Sequence, residues 1–332
     1  MLKIIGDINF SDGYFDRGIG IGSAIEQGGN PFKWLTRKSD DFWIGNFECV
    51  VSDSKSKKPF VISPSVLDNV EHMDFYSIAN NHVMQHGKDG YNDLIDFLEK
   101  KNIPYAGSLN KKSNIIEHQN KKVGIICFSQ RPDNFTKSPL YWHLPEYQEI
   151  EDEIMRLSST NFKIAYIHWG YEFINYPNID QKKLAHWLID KGIDLVIGTH
   201  PHVAQGFEKY NDKYIFYSLG NAVFNMPWEP TKYGLMVNVD LSRDTPSVRA
   251  SHIHIESDNF PMEIQNAPSE LSFENLNDLL SIIEDNEKYF GKARNYYLQY
   301  RKENRKDILK KILKMSNSTR KNIIFDFIKR RF

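Results

Sequence analysis

Two imidazoles stand two positions apart in Gly198-Thr199-His200-Pro201-His202, directly after the apolar run Leu195-Val196-Ile197. Pro201 stiffens this extended segment and keeps His200 and His202 toward one side of it. Neutral imidazole is a common ligand for zinc, manganese and iron, so the pair reads as metal-binding rather than as a chance coincidence. Five further polar motifs are spaced along the first two thirds of the chain: Gly6-Asp7, Asn46-Phe47-Glu48, Asn80-Asn81-His82, His168-Trp169-Gly170 and Ser218-Leu219-Gly220-Asn221. Nearly all of them end apolar runs. Open α/β sheets place ligands just beyond the carboxyl ends of their strands, and Asp, Glu, Asn and His at successive strand ends are what one sheet edge needs to gather a cation.

Taken singly, each motif keeps a plainer reading. Asp7 alone suits a turn or a helix cap. Asn46 and Glu48 would point to the same side of an extended chain, where Glu48 could bridge two metals about 3.5–4 Å apart, yet a surface loop explains them as well. Asn80-Asn81 has turn chemistry, although an Asn carbonyl can ligate a cation and His82 could protonate a leaving oxygen. His168 could be a satisfied core histidine. Glu172 could orient a histidine, touch substrate or sit in an ion pair, and His86 reads as solvated.

The elements that would position these residues alternate strand and helix. Strands are predicted at 2–5, 41–45, 74–79, 123–128, 163–168, 194–198, 214–219 and 234–241, with amphipathic helices at 90–100, 147–157 and 180–191. Leu184, Trp187 and Leu188 give the last helix an apolar face, and Gly192 stops it. Alternation of this kind argues for parallel pairings. The stretches 121–128 and 247–256 lack flanking helices, which favours a second sheet or antiparallel edges, hence a layered sandwich. Beyond Glu270 the pattern turns helical and polar, so residues 1–262 read as the core domain and 263–332 as a helical, basic extension. Gly18-Ile19-Gly20-Ile21-Gly22 lacks the preceding strand of a dinucleotide loop and reads as a flexible loop near the metal edge.

Bulk properties agree. The 332 residues are 40% hydrophobic and 13% aromatic, enough for a sizeable core. Net charge is −1, but residues 301–332 hold twelve Lys or Arg against three Asp or Glu, leaving a body of net −10. A negative body suits cations and gives nucleic acid no basic groove, while a positive tail suits anionic surfaces. Cys49 and Cys127 are no disulfide framework. The opening Met-Leu-Lys-Ile-Ile-Gly-Asp reads as a first strand rather than a signal peptide, and no apolar run reaches the ~20 residues of a membrane span. The expectation is a cytoplasmic protein, peripheral at the inner membrane face if the tail engages lipid.

In order and spacing, Gly-Asp, Asn-Phe-Glu, Ala-Asn-Asn-His, His-Trp-Gly-Tyr-Glu, Gly-Thr-His-Pro-His and Tyr-Ser-Leu-Gly-Asn resemble the CapA family of poly-gamma-glutamate capsule synthesis proteins, a branch related to calcineurin-like metallophosphoesterases. The resemblance covers residues 1–240. It implies a four-layer α/β/β/α sandwich carrying one or two divalent ions (Mn, Zn or Fe) at a sheet edge. Position by position, it implies Asp7 and His202 on a first metal, Glu48 as the bridge, and Asn81, His168 and His200 on the second, with His82 as proton donor. Asn9, Asn46, Glu172 and Asn221 are assigned to the substrate side. Asn9 stands where phosphoesterases carry His, and Gln85 where the family usually has Asp.

The implied function is metal-dependent hydrolysis of a phosphoester in capsule or surface-polysaccharide formation; the alternative is a non-hydrolytic accessory subunit of a capsule polymer synthase. The expected substrate is phosphorylated or a polymeric anion. The tail 301–332 would dock capsule-assembly partners or an anionic membrane, or else pack as a helical pair on the core.

Overall fold

Successive residues of the central strands enter two different cores. Ile125, Cys127, Ile164, Tyr166, Leu195 and Ile197 join one apolar cluster, whereas Ile126, Phe128, Ala165, Ile167 and Val196 join another. A period of two with both sets buried is the signature of a sheet covered on both faces. The computed structural model describes residues 1–321 except 14–15, 54–57, 69, 71, 257–258, 316 and 318–319.

Two sheets pack face to face. The first has eight strands, in the order Pro261–Ile264, Ser247–Ile255, Tyr233–Asp240, Leu2–Ile8, Phe42–Phe47, Phe75–Ser77 and Tyr105–Ala106, with Asn221–Val223 pairing beside the end of Leu2–Ile8. The second has six, in the order Phe207–Tyr210, Lys213–Phe216, Leu195–Thr199, Phe162–His168, Lys121–Ser129 and Ser113–His118. Their shared core joins Ile4, Ile44 and Phe75 to Ile125, Ile164 and Leu195. The Tyr166 hydroxyl crosses it to donate to the Ile5 carbonyl at 2.5 Å.

Helices supply the outer layers. Tyr147–Arg156 and Ile179–Asp190 cover the second sheet through Ile150, Ile154, Leu184 and Leu188. An Asn178–Gln181 capping box opens the second of these helices, and Gly192, at φ 99°, follows its end as expected. Leu188 is wholly buried, so truncation to Ala would cost about 2–5 kcal/mol. Helix Gly87–Lys100 lies on the other side, where Phe97 shares a cavity with Tyr76 of the first sheet. The result is the four-layer α/β/β/α sandwich, with helices Phe273–Asp278, Asn286–Glu303 and Arg305–Lys314 following the last strand.

Departures from the expected elements have local causes. The strand expected at 214–219 stops at Phe216, because the Ser218 hydroxyl donates to the Val203 carbonyl and pulls the chain toward another loop. Strands Ser113–His118 and Phe207–Tyr210 were not expected. Each forms a hairpin whose turn residues, Gln119-Asn120 and Asn211-Asp212, all have positive φ, the backbone that tight hairpins require. The glycines at 18–22 are no flexible loop: the Asp12 carboxylate accepts from the Gly18 and Ser23 amides, and helix Ile21–Glu26 begins there. The sheet runs on to Ile264, and Leu271 and Leu276 join the central core. Among the described residues no helix is long and apolar enough to cross a membrane. Residues 322–332 of the basic tail lie outside the described residues.

Candidate metal centre

Parallel registers deliver the polar residues to one edge. In the first sheet Asp7 lies opposite Asn46 on one side and Asn221 on the other, and Asn46 lies opposite Ser77. In the second sheet Thr199 lies opposite His168, which lies opposite Ser129. Glu48 and His200 come one residue after their strands end, and Asn81 opens the single 3-10 turn Asn81–Met84. His200 and His202 have φ of 98° and 57°. Such left-handed backbone is unusual for residues with a Cβ and clusters at functional sites. Here the Asp7 carboxylate helps hold it, accepting the His200 N–H at 3.2 Å.

Two ligand groups share one carboxylate. Ligand atoms of Glu48, His168 and His200 lie within 4.8 Å of one another, and so do those of Asp7, Glu48 and His202. Asn81 belongs beside the first group: its Oδ1 lies 3.1 Å from His168 Nε2, which is itself 3.9 Å from Glu48 Oε1. His82 Nε2 lies 3.7 Å from the same Glu48 oxygen. All the ligand candidates are buried. Both oxygens of Glu48 and both ring nitrogens of His200 nevertheless lack a hydrogen-bond partner. Buried polar atoms are almost always paired; orphaned ones on Glu48 and His200, two residues with ligand atoms within 4.8 Å of each other, belong to the donor set of a divalent cation, and the residues present fit one.

Electrostatics point the same way. Burial raises the Glu48 carboxyl well above its ordinary range, and the neighbouring Asp7 carboxylate adds to the effect. Burial raises Asp7 too. Burial also lowers His168 and His200 well below the usual imidazole value, so both rings are neutral at pH 7, the form that ligates. His82 is pushed down to about 3, by burial first, while its bond to Gln85 works in the opposite direction.

The remaining residues act behind this set. Asn46 donates to Asp7 Oδ1 at 2.8 Å and accepts from the Asn80 amide at 3.0 Å, and the Asn80 amide also donates to the Phe47 carbonyl. Asn221 donates to the Thr231 carbonyl, which turns its own oxygen toward His202 Nδ1 at 2.9 Å. His202 therefore keeps its proton on Nδ1 and leaves Nε2 free for a metal. The Asn9 oxygen accepts from the Ser11 amide and hydroxyl. Asn9, Asn46 and Asn221, expected on the substrate side, hydrogen-bond within the protein, and Asn46 and Asn221 thereby brace Asp7 and His202. Glu172 is half-buried, and its charge reaches Glu48 and Tyr300. Gln85, despite replacing Asp, makes the bond behind His82, with 2.6 Å between Nδ1 and Oε1. His86 is not simply solvated, since its Nε2 lies 2.8 Å from the Pro59 carbonyl. Sequence reasoning missed the bracing role of Asn80, which its turn chemistry masked, and it missed Arg131, which no motif marks.

The sequence profile of the bacterial capsule synthesis protein PGA_cap matches residues 4–226. The chain belongs to the PGA_cap family. Among curated relatives, the PGA biosynthesis protein CapA of Bacillus subtilis is 30% identical over 62% of this chain. The capsule biosynthesis protein CapA of Bacillus anthracis is 28% identical over 61% of it. The match spans 59% and 55% of those relatives' own lengths. Among solved structures, a phosphatase of Mycoplasma pneumoniae aligns over 76% of this chain and 92% of its own, with a TM-score of 0.50 at 13% identity. This member of the PGA_cap family thus shares the four-layer fold of that phosphatase, with histidines and carboxylates grouped as a divalent metal site requires.

Proposed function

We propose that this chain is a metal-dependent phosphoester hydrolase working in capsule or surface-polysaccharide formation. One observation carries the reading: Glu48 is common to two ligand groups, so a single carboxylate can serve both halves of a paired site. Asp7 and His202 would hold one ion, and Asn81, His168 and His200 the other. When bound, such ions polarise a phosphoryl oxygen and acidify a water.

The chain's own residues supply the rest. Asn46 and Asn80 fix the Asp7 carboxylate, and Asn221 fixes the His202 tautomer. His82 in its neutral form donates from Nδ1 to Gln85, which leaves the Nε2 lone pair facing Glu48 and the site. Approach of an anionic substrate raises the proton affinity of that nitrogen, so Nε2 takes up a proton from solvent as the substrate binds and then gives that proton to the departing oxygen. Phe60, stacked on the ring at 4.2 Å, holds its plane and excludes water from one face.

The test replaces His200 with Ala and measures metal content and turnover of a generic phosphodiester with added manganese. Loss of both is expected; unchanged values for both refute the reading. Asn9, in the place of a phosphoesterase histidine and bonded to Ser11, favours a second reading, a metal-holding accessory subunit of a polymer synthase. Wild-type protein that holds metal yet turns over no phosphoester in a broad panel would favour it.

A further inference from the structure

Ser129 ends its strand opposite His168, and the chain then turns over the metal edge. The Gln130 amide donates to the His168 carbonyl at 2.9 Å, and the Ser129 hydroxyl donates to the same carbonyl at 3.2 Å. That hydroxyl also accepts the Arg131 N–H at 3.1 Å. The backbone of Arg131 is therefore tied to that of a candidate ligand. Downstream, the same loop brings the Phe135 ring to 5.8 Å from His82.

The Arg131 guanidinium lies 5.8 Å from the centre of the Tyr171 ring, in the segment that carries Glu172. It is close enough to His82, His168 and His200 to favour the neutral form of each. Among the described residues it makes no salt bridge, and its buried Nε has no hydrogen-bond partner. The acid nearest in sequence, Asp133, is occupied: it accepts from the Phe135 and Thr136 amides and from the Tyr141 hydroxyl. The Arg131 contact with Tyr171 aside, a shielded donor left unused beside neutral imidazoles contributes nothing to the fold. The planar guanidinium fork matches an oxyanion, phosphoryl or carboxylate.

We propose that Arg131 binds the oxyanion of the substrate and orients it across the metal edge toward His82. This rests on the hydrolase reading for the location of the reacting group, but it adds the residue that recognises negative charge. Tyr171 braces the guanidinium from one side, which limits the rotamers it must lose on binding.

Inorganic phosphate and a short oligoglutamate are titrated calorimetrically into the manganese-loaded full chain, as wild type, Arg131→Gln and Arg131→Lys. Metal content and circular dichroism are recorded for each. For Arg131→Gln, binding of at least one of the two probes should weaken by about tenfold or more, with metal content and fold unchanged. Arg131→Lys, which keeps the charge but not the fork, should fall between. Weakening confined to phosphate assigns the arm to phosphoryl groups; weakening confined to the oligomer assigns it to a polymer carboxylate. Wild-type affinity for both probes in Arg131→Gln overturns the proposal, as does a metal-loaded wild type that binds neither. A wild type that takes up no metal sinks the hydrolase reading instead, and Arg131 is then judged by the same titrations on the metal-free chain.

Discussion

His200 and His72 are both packed histidines with unpartnered ring nitrogens, yet their surroundings differ in kind. His72 is sandwiched by aromatics, stacked on Phe32 at 4.3 Å and edge-on to Trp43 at 4.4 Å, and burial pushes it down to about 4. A cavity of about 380 Å³ opens beside it, lined by Phe47, Met73, Tyr76 and Phe97. The charges at its rim are already paired, Arg37 with both oxygens of Asp74 and Lys101 with Asp68 at 2.6 Å. His200 instead faces His168 and the orphaned oxygens of Glu48. An orphaned nitrogen among rings is packing, whereas one beside an unpaired carboxylate is a candidate metal ligand. Cavity size is no guide here; convergence of unsatisfied groups is.

Glu48→Gln gives the largest test of that contrast. Metal content should collapse, and turnover should fall by about 10²–10³-fold or more. The same substitution should stabilise the metal-free protein at neutral pH. The folded-state pKa of Glu48 lies above its unfolded value of about 4.3. Its contribution is therefore fully present below that unfolded value and is lost as pH rises through the folded one. Thermal unfolding in chelator, followed from pH 4 upward, should show this loss in wild type and less of it in the variant. An identical slope would assign the slope to other groups.

Asn80→Ala removes no candidate ligand but frees Asn46 and, through it, Asp7. Metal affinity should drop about 10–100-fold, measured by competition with a chelator, with the fold retained. Wild-type affinity would show that Asp7 needs no such support. His72→Phe should change least, leaving metal stoichiometry and turnover at pH 7 untouched. Because the folded value of His72 is about 4 against 6.5 for the free side chain, its contribution to stability is lost as pH falls through that window. The Phe variant should lose less stability on acidification over that range, read by denaturant titration. A change in its metal content would dissolve the distinction between the two histidines.

The site was legible because its ligands terminate strands, and a strand's end can be read from where an apolar run stops. Asp7, Glu48, His168 and His200 all announce themselves in that way. Asn80 and Asn221 could be found but not understood, since an amide's role depends on which neighbour each of its ends meets. Arg131 gave no signal at all: its meaning comes from the register of Ser129 with His168, which is a property of the sheet. The two missed hairpins were written locally in Asn211-Asp212 and Gln119-Asn120, but their strands are partly exposed and mostly polar, so hydrophobic pattern did not mark them.

Helix Asn286–Glu303 lies wholly outside residues 4–226, yet it stands beside Glu172. Tyr300 stacks on Phe173 at 4.8 Å, Tyr289 packs with Ile174 and Tyr176, and Tyr296 reaches Trp228. The rim next to the shared carboxylate is thus furnished by a part of the chain that the family signature does not encode. Two proteins with the same ion-holding residues can therefore present differently shaped entrances, and selectivity can diverge at the doorway while the chemistry beneath it is inherited unchanged.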